Sequence, residues 1–317
     1  MLVWLPPDLD AAALGPLPER LERGSLPAEG PVPPRADEVE VLVLDPQQRG
    51  RLVEVLPSLT GLRLVQTLNA GVDWVPQLDD GVTLCNASGV HDGPVADWVL
   101  GAVLAQEKRL LHFAALQARG EWDREANLAF GSGPPAGDLA EQTVLIVGYG
   151  SIGAAVERRF ASCGSRILRI ASRAREQDGR QVHGPTSLPD LLPEADVVVV
   201  LAPASPETVH LVDAGFLAAM RAGALLVNAA RGSLVDPVAL LDAATAGRVR
   251  ACLDVTEPEP LPAGDPLWHA PGVTITPHVA GSSAHWRQRA YALVGDQLRR
   301  YAAGERVLNV RRDGESA

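Results

Sequence analysis

Short apolar runs of strand length alternate with segments that repeat their apolar positions every three or four residues. This alternation continues along most of the chain. In its first part, residues 3–5, 39–44, 62–67 and 82–85 read as strands. Proline-rich connectors such as 27–34 break them, and the set predicts a small α/β domain with a parallel sheet. The pattern changes at 94–106, which is helical and nearly apolar all round at its start, with Pro94 suited to a first turn. Such a helix is expected to be buried on several sides, at a domain or subunit junction. Its apolar surface predicts a homodimer assembled partly through it. Residues 131–137 are rich in Gly and Pro and read as a loop.

From Thr143 the alternation is regular. Strands are predicted at 143–147, 166–171, 197–201, 224–228, 249–253 and 273–275, and helices at 152–163, 188–192, 214–220 and 237–246. The valine-rich run 197–201 is uninterrupted, as in a strand covered on both faces. Right-handed βαβ crossovers would join these strands into one parallel sheet. A last helix, 283–303, is expected to return to the first domain.

Composition changes this picture little. A length of 317 residues suggests two domains, each large enough for its own core. The net charge of −11 opposes general nucleic-acid binding, which needs positive potential toward phosphates. It does not oppose a small anionic substrate met by a local arginine. No apolar run has the length of a membrane span. The start, Met1-Leu2-Val3-Trp4-Leu5, has no basic leader pattern and reads as a strand. Cys85, Cys163 and Cys252 are isolated, so neither a zinc knuckle nor a disulfide framework is supported, and a reduced, cytoplasmic setting is expected. No histidine or acidic spacing points to a metal, and no GxSxG or cysteine–histidine arrangement points to a covalent nucleophile.

The chemistry begins at Gly148-Tyr149-Gly150-Ser151-Ile152-Gly153, between a predicted strand and a predicted helix. In that context the glycines fit a dinucleotide. Gly148 permits the tight turn, Gly150 lets the backbone approach a pyrophosphate, and Gly153 allows close helix–strand packing. An NAD site places an acidic residue at the end of the next strand to hold the ribose 2′-hydroxyl. This chain has Ala171-Ser172-Arg173 there. Ser172 can hydrogen-bond a 2′-phosphate and Arg173 can pair with it, so NADP(H) is favoured over NAD(H).

Three further residues follow predicted strands: Arg231 after 224–228, Glu259 after 249–253 and His278 after 273–275. Ligands of open α/β sheets bind at those carboxyl ends. Arg231 can hold a carboxylate through two parallel hydrogen bonds and polarise a neighbouring carbonyl. His278 can give and take a proton near neutrality. Glu259, among prolines, can fix the imidazole tautomer and favour the charged ring.

These motifs, with Leu201-Ala202-Pro203-Ala204-Ser205-Pro206-Glu207-Thr208 and Asn228-Ala229-Ala230-Arg231-Gly232-Ser233-Leu234-Val235-Asp236, resemble the D-isomer-specific 2-hydroxyacid dehydrogenase family from about Leu62 to Gly281. The resemblance implies a Rossmann-type doubly wound domain, residues 94–283, inserted in a flavodoxin-like α/β substrate domain, residues 1–93 and 284–317. It implies hydride transfer between the nicotinamide and a 2-oxo acid/2-hydroxy acid pair in a homodimer, with Arg231, Glu259 and His278 as catalytic residues. Ala70 and Gly71 of Asn69-Ala70-Gly71-Val72-Asp73 are expected to hold the substrate carboxylate through backbone N–H groups. Leu201, Ala202 and Pro203 should line the adenosine side, Ala229 and Ala230 the nicotinamide side, with Asp254 at the carboxamide and Gly281 near the cofactor. The fold is shared by nucleotide-sensing corepressors and by formate- or phosphite-type dehydrogenases. Retention of Arg231, Glu259 and His278 ranks both below a 2-oxo acid reductase.

Overall fold

A computed structural model describes residues 1–7, 9–124, 126 and 137–311. Most of the loop predicted at 131–137 lies outside the described residues. The described residues divide into two compact units, one formed by Met1–His91 with Ser282–Arg311, the other by Asp92–Gly281.

In the first unit the sheet runs Val310–Arg311, Thr83–Cys85, Leu64–Thr67, Val39–Leu44, Leu2–Leu5, Glu22–Ser25. Numbered along the chain, its parallel strands lie in the order 2-1-3-4-5 of flavodoxin-like sheets. The expected parallel sheet is present, and Val310–Arg311 adds a short antiparallel strand at its edge beside Thr83–Cys85. Helix Trp286–Ala303 buries Ala290, Tyr291, Val294 and Leu298 in the same cluster as Val3, Val41, Val43 and Leu64.

In the second unit the order is Val273–Ile275, Arg250–Leu253, Leu225–Asn228, Val197–Val200, Thr143–Val147, Arg166–Ile170, all parallel. A single parallel bridge from Ile170 to His183 continues it, so the third strand of the doubly wound pattern is reduced to one residue. Val197–Val200 is central, and its side chains alternate in period two. Val198 and Val200 enter one core cluster, Val197 and Val199 the other. A run of β-branched residues suits a strand wrapped on both faces.

Helix Asp92–Glu107 sends Val95, Ala96, Val99 and Val103 into the cluster that holds Ala155, Val156 and Phe160 of helix Ser151–Ser162. Part of its apolar face is thereby covered within its own unit, while Trp98, Leu100 and Leu104 stay half-buried. Large apolar side chains are exposed further on instead, at Leu110, Leu111, Phe113 and Trp122. No helix among the described residues is long and apolar enough to cross a membrane.

Candidate active site

The sheet order of the second unit reverses between Thr143–Val147 and Val197–Val200, and ligands of such sheets sit outside the carboxyl ends at that point. Gly148 occupies it with φ 102°. A Cβ there would lie 2.3 Å from the Ala202 nitrogen and 2.4 Å from the Leu201 carbonyl carbon, so only a hydrogen fits. One turn into the helix, a Cβ on Gly153 would lie 3.2 Å from the Gly148 carbonyl oxygen and from Ile146 Cγ2. Gly150 is the N-cap of helix Ser151–Ser162 and supplies no side-chain cap. Ser151 and Ile152 follow in its first turn, at the positive end of the helix. A close-set glycine turn feeding an uncapped helix start fits a dinucleotide pyrophosphate.

Across from the turn, Pro203 is held by its own loop. The Thr208 hydroxyl donates to the Pro203 carbonyl at 2.8 Å and accepts from the Ser205 N–H at 2.8 Å. Tyr149 is turned away, with its hydroxyl donating to the buried Glu157 at 2.5 Å. Only its backbone is at the turn.

Ser172 and Arg173 are exposed, and their side chains make no hydrogen bond or ion pair among the described residues. Arg175 begins a short hairpin, Arg175–Gln177 with Arg180–Val182. Its Nη2 donates to the Tyr149 carbonyl at 2.8 Å and to Gln177 Oε1 at 3.0 Å.

Arg231, Glu259 and His278 follow three consecutive parallel strands, Leu225–Asn228, Arg250–Leu253 and Val273–Ile275. Neighbouring strands lie about 4.8 Å apart, so the three loops emerge side by side. Buried Asn228 shapes the first loop. Its side chain accepts from the Ala230 N–H at 3.1 Å and donates to the Arg231 carbonyl at 2.8 Å, which holds Ala229 and Ala230 in a tight turn. A Cβ on Gly232 would lie 2.0 Å from the Thr256 carbonyl oxygen, so the Arg231 loop packs backbone to backbone on the loop carrying Glu259. Arg231 Nη1 donates to the Ala230 carbonyl at 2.7 Å.

His278 Nδ1 lies 2.6 Å from Glu259 Oε1. The pair is open, with side-chain exposures of 49% and 42%. His278 has φ 53°, a left-handed backbone that histidine adopts more readily than most side chains. Asp254 holds it there. The Asp254 carbonyl accepts from the His278 N–H at 2.7 Å. Its Oδ1 accepts from the Thr276 hydroxyl at 2.6 Å and the Val279 N–H at 2.8 Å, and Oδ2 from the Ala280 N–H at 2.8 Å. Gly281 closes this segment.

In the first unit, the loop after Leu64–Thr67 spends its carbonyls internally. Asn86 Nδ2 donates to the Ala70 carbonyl at 2.6 Å, and Asn69 Nδ2 and Trp74 Nε1 donate to the Gly71 carbonyl at 2.6 and 3.0 Å. Among the described residues, the N–H groups of Ala70 and Gly71 have no acceptor. Two N–H groups without an acceptor on a polar-braced loop can take an anion.

One expected residue does more than the motif reading gave it, and one residue of consequence is absent from that reading. Asp254 carries the loop that presents His278, besides any role toward a cofactor. Glu157 lies beneath the glycine turn. A signal for Glu157 was present, because Gly153, Val156, Glu157 and Phe160 form the buried face of their helix at spacings of three and four. A carboxylate on such a face requires partners. Cys85 and Cys252 offer no nucleophile, since burial pushes their thiols up to about 11 and about 12.

The fold and site are those of a nicotinamide-dependent oxidoreductase of the doubly wound class. A model of the D-isomer specific 2-hydroxyacid dehydrogenase NAD binding domain matches residues 100–280. The chain is 32% identical over 258 residues to a glyoxylate reductase of Thermofilum pendens, covering 80% of this chain and 75% of that one. It is 30% identical over 286 residues to a glycerate dehydrogenase of Methylorubrum extorquens, covering 88% and 82%. Among solved structures, a D-isomer specific 2-hydroxyacid dehydrogenase from Xanthobacter autotrophicus, in complex with NADPH and MES, superposes with a TM-score of 0.82 at 30% identity over 98% of this chain and 97% of that one. The chain belongs to the D-isomer-specific 2-hydroxyacid dehydrogenase family and is an NAD(P)-dependent oxidoreductase of 2-hydroxy acids.

Proposed function

We propose that the protein is an NADPH-dependent reductase of small 2-oxo acids of the glyoxylate or hydroxypyruvate type, working reversibly. The 2.6 Å His278–Glu259 pair carries this reading, set beside Arg231 on adjacent strand ends. A bound nicotinamide supplies the hydride that reduces the substrate C2 carbonyl. Arg231 binds the substrate carboxylate and polarises that carbonyl, and the N–H groups of Ala70 and Gly71 hold the same carboxylate. Glu259 accepts a hydrogen bond from Nδ1–H, which leaves the Nε2 proton to pass to the new alkoxide oxygen and, in oxidation, to be taken back by Nε2. Asp254 Oδ2 takes one hydrogen bond from the chain and keeps capacity for a carboxamide N–H.

The NADP(H) preference rests on the missing carboxylate at position 172 and on exposed Ser172 and Arg173. The relative from Xanthobacter carries NADPH. The names of the glyoxylate reductase and glycerate dehydrogenase relatives support the substrate class. The reading includes a homodimer, supported by the exposed apolar side chains at Leu110, Leu111, Phe113 and Trp122. Sedimentation of the full chain checks it, and a stable monomer at micromolar concentration counts against it.

The decisive assay sets purified protein against a panel of 2-oxo acids with NADPH and NADH. Turnover of glyoxylate or hydroxypyruvate with NADPH is expected. Tight cofactor binding without turnover of any 2-oxo acid overturns the reading.

A further inference from the structure

Glu157 is a buried carboxylate, its side chain 3% exposed, and it has no part in the proposed chemistry. It collects four hydrogen bonds from three segments. Oε2 accepts from the Tyr149 hydroxyl at 2.5 Å and from Arg169 Nε at 2.7 Å. Oε1 accepts from Arg169 Nη2 at 2.5 Å and Arg180 Nη1 at 2.7 Å. Burial alone would push this carboxyl up, but the hydrogen bonds from Arg169 and Tyr149 outweigh it and hold it below the usual range. The charge persists because it is paired on every side.

The three segments are the glycine turn, the strand Arg166–Ile170 and the hairpin 175–182. In the hairpin, Arg175 pairs with Val182 and Gln177 with Arg180. Directly paired residues and residues two apart share a face, so Arg175, Gln177, Arg180 and Val182 stand on one side. That side turns toward the glycine turn: Val182 is fully buried in the core beneath it, and Arg180 reaches Glu157. Arg175 is thereby brought over the Tyr149 ring, 6.0 Å from its centroid, with Nη2 on the Tyr149 carbonyl. Its Nη1 makes no hydrogen bond to the described residues, which leaves two N–H donors of a pinned guanidinium beside the end of the second strand.

We propose that Glu157 is a positioning residue for 2′-phosphate recognition: by clamping Arg180 it fixes the hairpin, and the hairpin sets the Arg175 guanidinium. The proposal rests on the NADP(H) reading above. Cofactor preference then depends on a residue that does not touch the cofactor.

Equilibrium binding of 2′,5′-ADP and 5′-AMP to the full chain tests both ideas, with the ratio of the two affinities as the readout. Wild type is expected to favour 2′,5′-ADP about tenfold or more, the scale of one charge-assisted hydrogen bond. Arg180→Gln is the main variant, because Arg180 is 55% exposed and Glu157 keeps Arg169. It is expected to lower the ratio by roughly three- to tenfold and leave 5′-AMP binding unchanged, with Arg180→Lys restoring most of the loss. Arg175→Ala is expected to lower the ratio at least as far, and Arg175→Ala with Arg180→Gln no further than Arg175→Ala alone. A wild-type ratio near one overturns the NADP(H) reading and the proposal with it. A wild-type preference that survives Arg180→Gln, or effects that multiply in the double variant, overturns the proposal alone.

Discussion

Glu157, under the glycine turn, has a side chain 3% exposed and donors from three segments, whereas His278 and Glu259 are 49% and 42% exposed and meet through one hydrogen bond. The contrast follows from what each end has to do. A dinucleotide pyrophosphate is met by backbone, and backbone can be placed only by what packs under it. A proton donor must face its substrate, so it stands out on a loop, and an exposed ion pair contributes little to stability. Substitutions at the open end should therefore cost turnover and spare the fold, while those at the closed end should cost affinity and stability.

The largest expected effect lies at the open end. His278→Asn keeps a residue tolerant of positive φ and removes the proton. Turnover should fall by ~10²–10⁴-fold, with cofactor affinity and melting temperature close to wild type. Activity within a few-fold of wild type would remove His278 from proton transfer. A large loss of stability would instead erase the contrast between the two ends.

Gly148→Ala probes the closed end. Its Cβ would press on the Ala202 nitrogen and the Leu201 carbonyl carbon, which are backbone atoms. We expect destabilisation of roughly 2–4 kcal/mol in denaturant titrations, from overpacking and from a disfavoured positive φ. Cofactor affinity should drop with it. Unchanged stability would show that the segment 201–202 yields easily and that the turn is not held from below.

Ser172→Asp with Arg173→Ala lies between these extremes, since both residues are exposed and their proposed role is in binding. The ratio of kcat/KM for NADPH over NADH should fall by about ten- to a hundredfold, mainly through KM. A wild type that favours NADH ends the argument. A wild type that favours NADPH and is unmoved by the change shifts the weight to Arg175.

The smallest effect concerns acid. The folded state holds Glu157 below the usual carboxylate range, so its stabilisation is complete above the unfolded value and is lost as pH falls through the folded one. Melting temperature should fall below about pH 4.3 in wild type and less steeply in Glu157→Gln. Parallel curves would mean that the buried charge is indifferent to folding.

The sequence was legible where burial is two-sided and where motifs fix spacing. Four valines at 197–200 could hardly be other than a central strand, and Arg231, Glu259 and His278 each follow a recognisable strand. Legibility failed at polar edges. Glu22–Ser25 is a strand of mostly exposed polar residues whose order comes from pairing with Leu2–Leu5. The hairpin at 175–182 is likewise polar, and its place comes from Arg180 on Glu157. Nothing local encodes either one. The helix predicted at 94–106 shows the opposite difficulty: an apolar surface says that something covers it but not what, and helix Ser151–Ser162 supplies part of that cover. In the site, the long-range motif was readable, while its support was not. Glu157 could have been suspected from its place on a buried helix face, but the arginines that answer it lie 12 and 23 positions away.

The four hydrogen bonds that tie residues 276–280 to Asp254 have a kinetic side. With its own N–H and both following N–H groups anchored, the backbone of His278 cannot drift without breaking several contacts together. What remains free is rotation about the two side-chain torsions, and Glu259 restrains that. The imidazole thus searches a small arc instead of a volume. Its ordering entropy is already spent in folding and need not be met again at each substrate encounter.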